Sequence, residues 1–174
     1  MTEQQVKSSI REVPDFPKKG ILFYDITTAL SEPQCIKWFT DNIIEHYKNK
    51  GITKVLGIES RGFIIGSIVA RDLNAGFIPI RKPGKLPYHT ISESYNKEYG
   101  IDTIEIHADA ISTDDIVLIH DDLLATGGTL AAAVRLVQKM GVKKIYVNTL
   151  IELDALKGRD IFDADIDIYS LLHY

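Results

Sequence analysis

Paired carboxylates and a run of small, hydroxyl-bearing residues lie close together in one stretch of the chain. Asp121 and Asp122 follow the apolar residues 116–119, and a loop of small residues comes shortly after them: Ala125, Thr126, Gly127, Gly128 and Thr129. Small side chains allow backbone N–H groups to converge on one anion, and the helix predicted to start here adds the positive end of its dipole. The carboxylates offer acceptors to a pair of hydroxyl groups such as a ribose diol. These residues therefore predict a site for a phosphorylated sugar.

Two further segments carry groups that suit an anion. Ser60 and Arg61 follow another apolar run, where a hydroxyl, a cation and exposed backbone N–H groups would meet at the end of a strand. The basic turn at Arg81, Lys82 and Lys85 on its own favours a solvated surface. The chain lacks the Gly-Lys-Ser/Thr of an ATP-binding phosphate loop, so ATP hydrolysis is not predicted.

The elements that must position these groups alternate between strand and helix. Four short apolar runs predict buried strands, at residues 55–58, 77–80, 116–119 and 145–151. Helical periodicity lies between them at residues 63–73 and follows residue 129 as far as Gly141. We therefore predict an α/β fold with a mainly parallel, twisted sheet flanked by helices. At the N-terminus, residues 6–12 predict a short helix that ends before Pro14.

Residues 81–107 depart from this alternation. The basic turn is followed by a polar stretch in which Ile91, Tyr95 and the alternating residues 103–106 indicate two extra strands. Long excursions of this kind inside a domain commonly cover a ligand. We predict a flexible hairpin that acts as a lid.

Length and composition limit the class of protein. The chain has 174 residues, a net charge of −4 and one cysteine, Cys35. This size fits one domain, the acidic balance argues against nucleic acid binding, and one cysteine cannot form an internal disulfide. No apolar stretch approaches the ~18 residues of a membrane span, and the polar N-terminus is unlike a signal peptide. We expect a single cytoplasmic domain over residues 1–174 that binds neither nucleic acid nor a membrane.

Residues 116–129 resemble the binding motif for phosphoribosyl diphosphate (PRPP) in the type I phosphoribosyltransferases. That motif has four apolar residues and two acids before an Ala-Thr-Gly-Gly-Thr loop, as this chain does. The resemblance implies that Asp121 and Asp122 hold the ribose and that residues 125–129 bind the 5′-phosphate. It also implies Mg²⁺, carried mainly by PRPP with Asp121 as its one candidate protein ligand.

The same resemblance assigns the pyrophosphate groups of PRPP to the basic segments. Residues 59–63, Glu-Ser-Arg-Gly-Phe, are similar to the pyrophosphate loop of the family and imply that role for Ser60 and Arg61. Arg81, Lys82 and Lys85 match a segment that binds pyrophosphate and joins two subunits, which implies a homodimer.

Several segments are similar to the members of this family that act on adenine. Residues 13–28, with a C-terminal segment, would form a hood in which Phe23 stacks on the purine and the backbone of Leu22 and Tyr24 reads its edge. Leu153 matches a position beneath the purine, although a plain core leucine is an equal alternative. In the lid, Glu98 would be the acid–base residue and Tyr99 would close over the pyrophosphate.

The implied reaction converts adenine and PRPP into AMP and pyrophosphate. A 6-oxopurine substrate is the first alternative, and it would need a donor such as Lys157 facing the purine oxygen. A PRPP-sensing regulator is the second alternative. We do not expect it, because the short stretch before the hood is too small for a helix-turn-helix and the chain is acidic.

His120 departs from the family pattern, which usually has an aliphatic residue before the acids. A buried histidine with a satisfied hydrogen bond is the ordinary interpretation. A role in tuning the neighbouring acids is the alternative.

Overall fold

A central parallel sheet organises the computed structural model, which describes residues 1–97 and 100–174. The helices are α1 (Glu3–Ser9), α2 (Thr27–Leu30), α3 (Pro33–Tyr47), α4 (Gly62–Asp72) and α5 (Gly128–Gln138). The strands are β1 (Arg11–Pro14), β2 (Leu22–Asp25), β3 (Lys54–Ile58), β4 (Gly76–Ile80), β5 (Thr90–Lys97), β6 (Gly100–His107), β7 (Ile116–Leu124), β8 (Lys144–Glu152) and β9 (Asp167–His173). Two short 3-10 helices, Asp154–Leu156 and Gly158–Ile161, lie between β8 and β9.

Five parallel strands form the central sheet in the order β4-β3-β7-β8-β9. The predicted α/β class is confirmed, and so are the four predicted strands. The fifth strand, β9, is not predicted by the sequence, because Asp167, Ser170 and His173 interrupt its apolar pattern.

Two buried clusters cover the two faces of this sheet. One cluster packs Phe39, Ile43 and Tyr47 of α3 with Val69 of α4 against the sheet. The other includes much of α5, together with Tyr95 and Ile104 of the β5–β6 hairpin. The strands that carry the candidate site are therefore covered on both faces, which explains their continuous apolar runs.

Two antiparallel pairs stand outside the central sheet, β1 with β2 and β5 with β6. The second pair confirms the two strands predicted in residues 81–107. A bridge between Arg81 and Glu105 ties this hairpin to the segment after β4. Within the described residues, no helix combines the length and apolar character needed to cross a membrane.

The N-terminal helix predicted at residues 6–12 is wrong in its position. Helix α1 ends at Ser9, and residues 11–14 form β1 instead. The Thr2 hydroxyl accepts from the backbone N–H of Gln5, and the Gln5 side chain accepts from the backbone N–H of Thr2. This capping box starts the helix three residues earlier than the apolar pattern suggests.

Candidate active site

The two aspartates lie within strand β7, not beyond its end as the sequence suggested. Strand β7 continues to Leu124, because Asp121 pairs with Thr149 and Leu124 pairs with Glu152 of β8. Asp122 is only 5% exposed. Strand pairing therefore fixes the backbone of both aspartates.

The small-residue loop (residues 125–129) leads from β7 into α5. The predicted helix is present, but it begins at Gly128, two residues earlier than the apolar pattern indicates, so Gly128 and Thr129 form its first turn. Gly127 precedes the helix in the left-handed region, with φ +84°. A Cβ at Gly158 would lie 2.2 Å from the carbonyl oxygen of Ala125, so the segment between β8 and β9 packs directly against the loop. A cavity of about 190 Å³ opens beside the loop and is also lined by Arg61, Asp121 and Asp122.

Arg61 connects the acids to the start of α4. Its Nε lies 2.6 Å from Oδ2 of Asp122. Gly62 allows this approach, because a Cβ there would lie 2.7 Å from the carbonyl oxygen of His120 and 3.2 Å from Oδ1 of Asp121. Helix α4 therefore starts against the strand that carries both acids.

Burial dominates the electrostatics of the acid pair. It raises the pKa of Asp121 well above its usual range, and the neighbouring carboxylate of Asp122 adds to this effect. Burial also raises the pKa of Asp122, although Arg61 opposes the change. Two buried adjacent carboxylates favour hydroxyl donors or a cation in front of them, since either would lower the energy of the charged forms.

A larger cavity of about 330 Å³ adjoins the first and shares Arg61, Asp121, Asp122 and Thr129 with it. Its other polar lining comes from Glu59, Ser60, Arg81, Lys82 and Tyr95. The structure therefore brings the predicted residues Ser60, Arg61, Arg81 and Lys82 together around one space. Lys85 is exposed, and in the described part of the chain it lines neither of these two cavities.

Glu59 holds the basic segment in place, a role that the sequence did not reveal. Nε and Nη2 of Arg81 each donate to a Glu59 oxygen at 3.2 Å, and the backbone N–H of Lys82 donates at 3.0 Å. The hydrogen bonds from Arg81 and then from Lys82 lower the pKa of Glu59. The Glu59–Ser60 peptide is cis. The available signal was Glu59 itself, an acid in the same short segment as Ser60.

The hairpin contributes Tyr95 and Asp102, which the sequence did not single out as site residues. The Thr129 hydroxyl donates to the Tyr95 hydroxyl at 2.9 Å, and that hydroxyl donates to Oδ2 of Asp102 at 3.3 Å. Asp102 also forms an ion pair with Lys82. Glu98 and Tyr99, which were predicted to act from the lid, lie outside the described residues.

The predicted adenine residues lie on β2 and after β8. The guanidinium carbon of Arg61 lies 5.3 Å from the centroid of the Phe23 ring, so Phe23 contacts a residue that lines both cavities, although Phe23 itself lines neither of the two. Leu22 is exposed, while the Tyr24 ring contacts the Tyr174 ring with centroids 4.2 Å apart. Leu153 packs against the core, and its backbone N–H donates to Leu124 at 2.9 Å.

His120 is a buried, neutral histidine in β7. Its Nδ1 lies 2.8 Å from Oδ1 of Asn148, whose amide donates to the carbonyl of Tyr169 on β9. Burial lowers its pKa to about 4. The Nε2 atom of the same ring is also buried and has no hydrogen-bond partner among the described residues, so the ordinary interpretation holds for Nδ1 alone. Through Asn148 the ring links three neighbouring strands.

Among the described residues, two groups of side chains have the chemistry to hold a metal ion. Asp121 and Asp122 offer carboxylate oxygens beside the cavities, which suits Mg²⁺ bound jointly with a phosphate ligand. Glu152, Asp154 and His173 also lie together. The Glu152 carboxylate, however, is already bound through both oxygens by Arg159 at 2.6 and 2.7 Å.

Comparison with known proteins identifies consistent relatives. Residues 28–171 match the family model of the phosphoribosyl transferase domain. The chain is 58% identical over 172 residues to the adenine phosphoribosyltransferase of Bacteroides thetaiotaomicron, covering 99% of this chain and 98% of that protein. It is 59% identical over 174 residues to the enzyme of the same name from Bacteroides fragilis, with 99% and 98% covered.

Solved structures give the same result. The adenine phosphoribosyltransferase of Rhodothermus marinus superposes with a TM-score of 0.93 at 49% identity, covering 98% of this chain and 97% of that one. The enzyme from Giardia lamblia, solved with 9-deazaadenine, gives a TM-score of 0.95 at 43% identity, covering 100% and 98%.

Proposed function

This chain belongs to the phosphoribosyltransferase family, among its adenine phosphoribosyltransferases, and from that premise we propose how its site performs the reaction. It transfers the 5-phosphoribosyl group of PRPP to adenine, giving AMP and pyrophosphate in purine salvage. One observation carries the assignment: two adjoining cavities share Arg61, Asp121, Asp122 and Thr129, so an acid pair stands between two anion-binding regions. PRPP has the same order, a ribose between a phosphate and a diphosphate.

The smaller cavity is proposed to hold the 5′-phosphate. Ala125, Thr126, Gly127, Gly128 and Thr129 present backbone N–H groups and hydroxyls at the start of α5, where a dianion is favoured. Asp121 and Asp122 accept from the ribose hydroxyls. Hydrogen bonds from these hydroxyls offset part of the cost of burying two acids.

The larger cavity is proposed to hold the diphosphate. Ser60, Arg61, Arg81 and Lys82 supply a hydroxyl and three cations around it. Lys85 and Tyr99 join them in this assignment, Lys85 from the exposed turn after Arg81. The cations stabilise the charge that grows on the pyrophosphate as its bond to C1 of the ribose breaks.

Adenine is proposed to lie between Phe23 and the acid pair. An aromatic ring suits a flat heterocycle, and the Arg61 guanidinium carbon, 5.3 Å from the centroid of the Phe23 ring, places that ring beside a residue that lines both cavities. Leu22 and Tyr24 read the purine edge through their backbone, and Leu153 lies beneath it. A purine nitrogen forms the new bond to C1 while Glu98 accepts the proton that adenine loses.

Mg²⁺ is proposed as the cofactor. The donors fit, because Asp121 and Asp122 face the cavities while Mg²⁺ commonly takes one or two carboxylates together with substrate phosphates. When bound, the ion would neutralise charge on the diphosphate. Asp121 is the better protein ligand, since Asp122 is already bound by Arg61.

The organisation of the chain completes the proposal. Residues 1–174 form one phosphoribosyltransferase domain, in which residues 13–28 and a C-terminal segment form the hood and residues 81–107 form the lid. The separate β1–β2 pair and the β5–β6 hairpin support this division. We also propose a cytoplasmic homodimer without nucleic acid or membrane partners; sedimentation at equilibrium tests the dimer.

An assay of the purified protein with PRPP, Mg²⁺ and one purine base at a time tests the proposal. Release of pyrophosphate is expected with adenine and not with hypoxanthine, guanine or xanthine. Turnover with a 6-oxopurine but not adenine would refute the substrate. Binding of PRPP without turnover of any base would favour a regulator instead.

A further inference from the structure

A line of polar side chains runs beside the larger cavity from the small-residue loop to the basic segment. Thr129 donates to the Tyr95 hydroxyl, and Tyr95 donates to Asp102, which forms an ion pair with Lys82. The backbone N–H of Thr103 also donates to Asp102, to its other oxygen, at 2.9 Å. The two ends of this line are a proposed 5′-phosphate residue and a proposed diphosphate residue.

Tyr95 is held firmly at the centre of that line. It is 7% exposed, and its ring belongs to the buried cluster that includes α5. A Cβ at Gly128 would lie 3.5 Å from the ring, so the tyrosine packs directly on the first residue of the helix. Its hydroxyl lies on the cavity wall beside Thr129.

We infer that Tyr95 is a positioning residue that couples the two phosphate subsites of PRPP. This inference rests on the proposed function, because Thr129 and Lys82 take their ligands from it.

The direction of the coupling follows from counting hydrogens. A threonine hydroxyl and a tyrosine hydroxyl each carry one hydrogen. A phosphate at the loop takes the hydrogen of Thr129, so Thr129 accepts from Tyr95, and Tyr95 no longer donates to Asp102. A diphosphate draws Lys82 away from the same carboxylate. Each ligand therefore removes one partner of Asp102. The carboxylate then holds its remaining partner more strongly, so each ligand lowers the affinity for the other.

This antagonism has a use in the reaction. After transfer, the 5′-phosphate belongs to AMP and the pyrophosphate is free. The phosphate of AMP, bound at the loop, then lowers the affinity of the site for pyrophosphate. Pyrophosphate is therefore expected to dissociate first. In PRPP the two groups are joined covalently, so the antagonism lowers its affinity without preventing binding.

Calorimetry on the whole protein tests the coupling with ribose 5-phosphate and magnesium pyrophosphate as probes. The pyrophosphate Kd is measured with and without saturating ribose 5-phosphate, in the native chain and in Tyr95→Phe. Losing one hydrogen bond from the line is expected to reduce the antagonism by roughly 5-fold. By linkage, the Kd of ribose 5-phosphate with and without pyrophosphate must change by the same factor.

Ser94→Ala is the matched control. It removes the hydrogen bond of 2.9 Å between Ser94 and Thr103 in the same hairpin, on its exposed side. The antagonism should survive in this variant. A second test variant, Asp102→Asn, leaves the tyrosine ring in place and should also reduce the antagonism, which keeps the test open if Tyr95→Phe misfolds.

The outcomes separate the inference from the function it rests on. Failure of the native chain to bind either probe, or PRPP, refutes the proposed function. Binding of both probes with the same coupling in the native chain, Tyr95→Phe and Asp102→Asn refutes the role of Tyr95. Equal loss of coupling in Ser94→Ala would show a general effect of the hairpin and would also refute it.

Discussion

Replacement of Gly127 by alanine would show how the small-residue loop is held in place. Gly127 has φ +84°, and a Cβ there would lie 2.5 Å from the carbonyl oxygen of Gly158 and 2.9 Å from Cδ1 of Ile161. The left-handed backbone costs alanine about 1–2 kcal/mol, and a methyl group forced into packed surroundings costs a further ~1–3 kcal/mol. We therefore expect Gly127→Ala to lower the free energy of unfolding by about 2–5 kcal/mol.

Gly141→Ala separates the cost of the left-handed backbone from the cost of forcing a methyl group into packed surroundings. Gly141 also has a positive φ, +72°, but the nearest atom to a Cβ there is Cγ2 of Thr113 at 3.5 Å, an ordinary contact. This variant carries the backbone cost alone, about 1–2 kcal/mol. Gly141 lies between α5 and β8, away from both cavities.

Urea unfolding gives the two free energies, and steady-state kinetics give KM for PRPP. Gly127→Ala should lose more stability than Gly141→Ala, and only Gly127→Ala should raise KM, because a displaced loop moves its N–H groups off the phosphate. Equal losses of stability would refute the argument from close packing. If Gly127→Ala is destabilised but its KM for PRPP is unchanged, the small-residue loop does not bind the phosphate of PRPP.

Three further predictions concern the purine, the acid–base residue and the buried histidine. Phe23→Leu should raise KM for adenine roughly 3- to 10-fold, since it loses aromatic stacking, while KM for PRPP stays unchanged; a similar increase for both substrates would contradict stacking. Glu98→Gln should keep the Kd for PRPP and lower kcat strongly, and undiminished kcat would exclude Glu98 as the proton acceptor. Burial lowers the pKa of His120 from 6.5 to about 4, so the folded state resists protonation. The native chain should therefore lose about 3 kcal/mol of stability between pH 6.5 and pH 4 from this group, and the loss should be absent in His120→Leu. Urea unfolding across that range tests it, and identical pH slopes for the two proteins would show that His120 is not the group responsible.

Local signals in the sequence were sufficient to predict the strands and the helix start that position the site residues. The apolar runs at residues 55–58 and 116–119 predict strands because both faces of the sheet are covered, and the structure confirms them. The small residues before α5 predict a helix start, because glycine and threonine permit the turn and supply donors there. Ser60, Arg61 and the acid pair could be assigned to one edge of the sheet on the same grounds, since parallel strands end together.

Other features depended on partners distant in the chain. Strand β7 runs on through Asp121 and Asp122 because β8 continues beside it, and no local pattern shows this. Strand β9 forms because β8 offers an unpaired edge, despite the aspartates near its start. Helix α1 shows the opposite case: the local capping signal of Thr2 and Gln5 decides where the helix starts, whereas the apolar pattern predicts a later start.

The sequence by itself determined the family, the fold class and the segments that carry the phosphate and sugar groups, because those depend on short runs of neighbouring residues. Only the tertiary structure decided which side chains hold those groups in position. Glu59 reaches Arg81, Gly158 packs against the small-residue loop, and Tyr95 meets Thr129. These contacts join residues 22 to 34 positions apart, and hydrogen-bond geometry at such separations is set by the packing of whole elements.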